Sequence, residues 1–148
     1  MKTNQLILLL FAYLFLLNSC EKANEQTGMV FLQNEWKVQS IVYENKRITL
    51  PSDAFFREDA YILKFRNDSL FYLPTSVNEA GGEYQIVSDG HIIISYYGEW
   101  TEVAAPPHQK IFNEQLVSVF NEAMSYSYTD NKLIFRGEQN KEIVFVKQ

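Results

Sequence analysis

The chain has 148 residues, 47% of them hydrophobic and 15% aromatic, and a formal net charge of −5. That length suits one domain rather than two. An acidic chain without a basic run is not built for nucleic acid or for electrostatic adhesion to anionic lipid, and its single cysteine excludes an internal disulfide and thiolate-built zinc or iron–sulfur sites.

In chain order, Lys2 precedes an apolar run from Leu6 to Leu17, which ends in Leu17-Asn18-Ser19-Cys20. A short positive segment, an apolar stretch too short to span a bilayer comfortably, and a small residue before a cysteine resemble a bacterial lipoprotein signal. The resemblance implies a signal peptide over 1–19, lipid attached to Cys20, and a place in the bacterial cell envelope. The membrane would then be a partner through covalent lipid, and two or more acyl chains hold a protein firmly. Glu21, rather than an aspartate, follows Cys20, which fits sorting to the outer membrane. Residues 20–28 read as a polar lipidated tether, a flexible coil with a reach on the order of 15 Å. Residues 29–148 read as the folded domain.

Within that domain the dominant period is two, broken by turn residues at short intervals, the mark of a sandwich or barrel. Trp36, Val38 and Val42 alternate with polar neighbours up to an Asn45-Lys46 turn, and Arg47–Leu50 continues a hairpin before Pro51. Ser52-Asp53 offers a cap for a short turn through Phe55 and Phe56. Tyr61, Leu63 and Phe65 alternate, Asn67-Asp68-Ser69 turns, and Leu70–Leu73 returns to Pro74. Thr75–Gly82 reads as a loop, with Gly81-Gly82 serving positive φ. Glu83–Ser88, Asp89-Gly90 and His91–Tyr97 form the clearest hairpin, because Asp-Gly suits a two-residue turn. Ser125–Tyr128, Lys132–Gly137 and Lys141–Lys147 supply the remaining strands. After Pro106-Pro107, Ile111, Phe112, Leu116, Val119, Phe120 and Ala123 recur at helical spacing over about four turns. The expected fold is therefore mostly β: a small lipocalin-like barrel of about eight antiparallel strands with one amphipathic helix over an open end or face. Such a barrel is either filled by side chains or holds one small ligand.

Two segments carry a family resemblance. Val77-Asn78-Glu79-Ala80-Gly81-Gly82-Glu83-Tyr84 resembles the Cys-Asn-x-x-x-Gly-x-Tyr segment of the META domain, found in HslJ and many bacterial lipoproteins. Thr101-Glu102-Val103-Ala104-Ala105-Pro106 resembles that family's Thr-x-Met-Ala-Cys-Pro segment. A leading Trp36, the helical acid Glu114 and an Asp-x-Lys-Leu hairpin at Asp130–Leu133 follow the same order. The resemblance implies a lipocalin-like barrel with an envelope role and singles out Asn78, Gly82, Tyr84, Thr101 and Pro106. It supplies no catalytic residue, and Val77 and Ala105 stand where the family has its two cysteines.

Chemistry-bearing patterns are sparse. His91, just after a turn, reads as an exposed side chain, and His108 has no second ligand beside it in sequence, so no metal site is expected. Glu99 and Glu102 read as solvated surface. No Gly-x-Ser-x-Gly elbow and no phosphate loop occur, which implies no cofactor and no enzyme. The aromatic content stands out: Tyr96, Tyr97, Trp100, Tyr126 and Tyr128 either line a ligand mouth or belong to an aromatic core. Three functional classes follow from these readings. The first is a non-enzymatic envelope lipoprotein that holds an envelope protein partner through the Ser76–Gly82 and Tyr97–Pro107 loops or a barrel face. The second is a lipocalin-like binder of a small apolar ligand, and the third a protease-inhibitor-like barrel.

Overall fold

A computed structural model describes residues 27–53, 57–66 and 69–148. The segments read from sequence as a signal peptide, as the lipidated Cys20 and tether up to Gln26, and as turns at Phe55-Phe56 and Asn67-Asp68 lie outside the described residues. A 3-10 helix over Thr27–Gln33 comes first, where the sequence predicts the end of a tether. Its Phe31 is fully buried, packed against Phe65, Tyr126 and Tyr128, and its carbonyl accepts the indole N–H of Trp36 at 2.7 Å.

Nine strands follow, where about eight are expected. They are β1 (Glu35–Tyr43), β2 (Lys46–Thr49), β3 (Ile62–Phe65), β4 (Leu70–Tyr72), β5 (Ala80–Ser88) and β6 (His91–Glu99). After the helix α1 (Pro107–Asn121) come β7 (Ser125–Tyr128), β8 (Lys132–Arg136) and β9 (Glu142–Lys147). All described pairings are antiparallel, in the order β2-β1-β3-β4-β5-β6-β7-β8-β9, and β1 also pairs with β9. The sheet thereby closes into a ring, the mostly β, barrel-like fold expected from the alternation. Closure removes the long edges that would otherwise recruit other chains.

Three local departures from the sequence reading have physical causes. The β1–β9 register shifts between Val38 and Ser40, and the bulge re-phases the strand, so Ile41 is fully buried and Val42 only partly. Ala80-Gly81-Gly82 belongs to β5 rather than to a loop, and Gly90 is the positive-φ glycine among the described residues. Gly81 and Gly82 are required for space instead. A Cβ on Gly81 would lie 2.8 Å from the Trp100 ring, and one on Gly82 would strike the Tyr96 carbonyl. Finally, β6 meets β7 through a single residue pair, His91 with Ser125. Further along β6, the Asn121 amide at the end of α1 takes the place of a strand: its Oδ1 accepts the Tyr97 N–H at 2.7 Å and its Nδ2 donates to the Tyr97 carbonyl at 3.1 Å.

The interior is filled. Trp36, Tyr84, Ile92, Ile94 and Phe135 are buried in one hydrophobic cluster, with Phe65 packed against it. Phe120 of α1 sits among Phe71, Tyr97, Phe135 and Phe145, with ring centroids 4.8 to 6.3 Å apart. These side chains occupy the space that an internal ligand would need. Strand directions then define two poles. The start of β1 and the end of β9 share one pole, where the Gln148 N–H donates to the Glu35 carbonyl at 3.0 Å. The connections from β4 to β5 and from β6 to α1 lie at the opposite pole.

Candidate functional site

The two segments singled out by sequence meet at that second pole. Asn78, 3% exposed, uses every hydrogen-bonding position of its amide. Nδ2 donates to Glu99 Oε2 at 2.8 Å and to the Val103 carbonyl at 3.1 Å. Oδ1 accepts the Val103 N–H at 2.7 Å and the Thr101 hydroxyl at 3.0 Å. The Thr101 oxygen also accepts the Glu79 N–H, and the Trp100 N–H donates to the Glu79 carbonyl. Asn78 therefore acts as a rivet between the 74–79 and 99–105 connections and keeps no donor or acceptor for a ligand. Val77 and Ala105 are each partly buried on the two segments so joined.

The other motif residues have packing roles. Tyr84 stacks edge-on to Phe65 at 5.0 Å and donates to the Arg66 carbonyl. Pro106 precedes α1 with φ −52° and ψ 147°, and Pro107 occupies the first turn, where a missing N–H costs nothing. Glu114 is exposed, 3.8 Å from Lys110 one turn earlier.

Beside the rivet lies a cleft of about 520 Å³. One wall is Gly98, Glu99, Val103, Ala104 and Ala105; the other is α1 through Lys110, Asn113, Glu114 and Val117. Asn113 is 6% exposed and its Oδ1 accepts the Tyr61 hydroxyl at 2.7 Å, which leaves its amide N–H groups free of any partner among the described residues. The cleft combines an apolar floor with a few polar groups, the composition of a binding site. Neither motif nor periodicity points to Asn113, because its role depends on which face of α1 meets the β6 connection.

The five aromatic residues read as a ligand mouth do not share one surface. Tyr96 and Tyr97 are adjacent in β6 and so face opposite sides. Tyr97 points inward, 1% exposed, and donates to the Leu73 carbonyl at 3.0 Å; burial pushes its phenol well above the usual value. Tyr126 is buried, and Tyr128 stacks on it at 6.5 Å beside Phe31. Tyr96 and Trp100 lie on the outer face at 55% and 58% exposure.

An ion-pair network borders the rivet. Arg57 Nε and Nη2 grip the Asp59 carboxylate at 3.0 and 3.2 Å, and Nη2 also reaches the Tyr72 hydroxyl at 2.8 Å and Glu79 at 3.2 Å. The hydrogen bond from Arg57 holds Asp59 below the ordinary carboxylate value, against the opposing effect of burial. His108 pairs with Asp53 at 3.1 Å with both side chains largely exposed, and Gln109 donates to the Asp53 carbonyl. Asp53 thus steadies the start of α1, whereas the sequence reading gives it to a local turn. His91 is exposed, and no cluster of three metal-ligating side chains occurs among the described residues.

No protein-family model matches the chain, and no curated protein matches it. The likeness found is to solved structures. A DUF4847 family protein from Bacteroides vulgatus is 18% identical, with 81% of this chain and 96% of that one covered and a TM-score of 0.52. A protein from Burkholderia xenovorans solved by NMR is 12% identical, with 84% and 88% covered and a TM-score of 0.62. A third protein solved by NMR is 15% identical over 76% of this chain and 88% of its own, with a TM-score of 0.52. At these identities the likeness defines the fold and nothing finer.

Proposed function

We propose that this chain is a lipid-anchored envelope lipoprotein whose domain works by binding rather than by catalysis, holding a segment of another envelope protein in the cleft between the β6 connection and α1. The observation that carries the reading is the contrast between a filled interior and a cleft of about 520 Å³ with a riveted wall. A filled ring favours a partner on the outside over a small apolar ligand within. The cleft lies at the pole away from the start of β1, so a tether entering there presents it outward.

Two experiments test the two halves of the proposal. Cys20→Ala should abolish labelling of the chain by radioactive fatty acid in growing cells, and unchanged labelling would sink the anchor. A photocrosslinking residue at Val103, 55% exposed on the cleft wall, should capture one discrete partner in whole cells, while the same probe at Thr49 in β2 should not. Identical adduct patterns from both positions would remove the cleft from the proposal.

A further inference from the structure

On the outer face of β4, β5 and β6, directly paired residues form two rows. One is Leu70, Glu83 and Tyr96; the next is Tyr72, Gly81 and Gly98. The second row is thus floored by two glycines in succession, and aromatic rings lie down into the space. The Trp100 ring covers Gly81 from one side, 2.8 Å from where a Cβ would stand, and the Tyr96 ring covers Gly98 so closely that a Cβ there would strike its hydroxyl. Tyr72 extends the surface, 6.3 Å from Trp100 between ring centroids. Between Tyr96 and Trp100 is a slot of about 170 Å³, lined also by Arg66, Leu70, Phe71, Gly82 and Glu83.

The geometry points to a carbohydrate-binding subsite that takes one pyranose ring of an oligosaccharide. A pyranose offers an apolar C–H face and a rim of hydroxyls, and this slot offers the complement of each. Flat, half-exposed indole and phenol rings suit the C–H face, since an aromatic ring with a polar edge serves apolar contact and water at once. The polar rim suits the hydroxyls: Arg66 sits 6.0 Å from the Tyr72 ring centroid, both Arg66 and Glu83 are exposed, and the ion pairs among the described residues involve neither. An apolar protein surface pressed onto the slot would desolvate both charges without pairing them, at a cost. Sugar hydroxyls both donate and accept, so they satisfy the guanidinium and the carboxylate together. The slot lies outside the cleft proposed above and shares no lining residue with it.

The molecule carries its own reference for a test. It has two tryptophans: Trp36 is 1% exposed with its indole N–H held by the Phe31 carbonyl, while Trp100 is 58% exposed. In the 15N-labelled full-length chain, titration with cellotetraose or chitotetraose to millimolar concentration should shift the Trp100 indole signal saturably and leave that of Trp36 in place. Trp100→Ala should weaken binding about tenfold or more. Glu83→Gln, at an exposed position, should weaken it with an unchanged unfolding midpoint. A Trp100 signal that moves with neither sugar overturns the inference. So does one that moves with protein concentration in the absence of sugar, which would assign the slot to self-association.

Discussion

At the scale of single residues, Asn78 joins two connections through four hydrogen bonds of one amide. These bonds are part-buried and end on the exposed residues Glu99, Thr101 and Val103, so water replaces some of the lost partners and each lost bond costs about 1 kcal/mol. Asn78→Ala should therefore destabilise the domain by about 3 kcal/mol, read as a fall in the urea midpoint with an unchanged slope. Asn78→Asp should do at least as much harm, because it places a second carboxylate oxygen where Nδ2 now meets Glu99 Oε2 at 2.8 Å. An Asp variant as stable as the native chain would mean that Glu99 is not held there. The sequence singles out Asn78 and Thr101 but not their mutual contact, since nothing in a linear spacing of twenty-three residues says that two connections meet. Tyr96 and Tyr97 teach the converse. Their opposite fates follow from strand alternation alone and are readable in advance once β6 is recognised.

At the scale of elements, the strands are legible because burial imposes period two, and the helix because Phe112, Leu116, Val119 and Phe120 repeat at its own period and are buried. Ile111, read with them, is 57% exposed, and Ala123 lies past the end of α1. What alternation hides is where the phase slips. The bulge in β1 exchanges Val42 for Ile41 in the core, and the glycine pair of β5 looks like a turn until the rings above it are seen. The short segment from Arg57 to Asp59 carries a charge network that periodicity does not register, and it confers a pH dependence. Asp59 titrates below its ordinary value of 3.8, so its stabilisation is fully present above that value and is lost as the pH falls through the lower folded-state value. The stability gap between the native chain and Asp59→Asn should hold steady from neutral pH down to about 4 and close below it. Urea midpoints measured across that range read the effect, and a gap that does not narrow as the pH falls would contradict it. Asn121→Ala exposes the edge of β6 in a similar way, leaving the Tyr97 N–H and carbonyl without the amide that now stands in for a strand.

At the scale of the whole molecule, closure couples the parts. Phe120 of α1 touches rings from β4, β6, β8 and β9, so helix and sheet share one core. The domain should unfold in a single cooperative transition, with near-ultraviolet circular dichroism and Trp36 fluorescence changing together; separate midpoints would show that the helix can leave a standing sheet. The size of the ring was also nearly readable from sequence, which predicts about eight strands for the nine that form. The partner of β1 was not, because a strand's alternation fixes its faces and leaves its neighbours open.

The pairing of β1 with β9 has a consequence for how this protein is made. The first strand waits on the last: until Glu142–Lys147 has emerged, Glu35–Tyr43 lacks one of its partners and the ring has a gap. A chain still being synthesised, or still being threaded through a narrow passage, therefore cannot lock into its final form, however much of it is already free. For the exported lipoprotein proposed above, this ordering would act as a timer, delaying the finished fold until the final residues arrive.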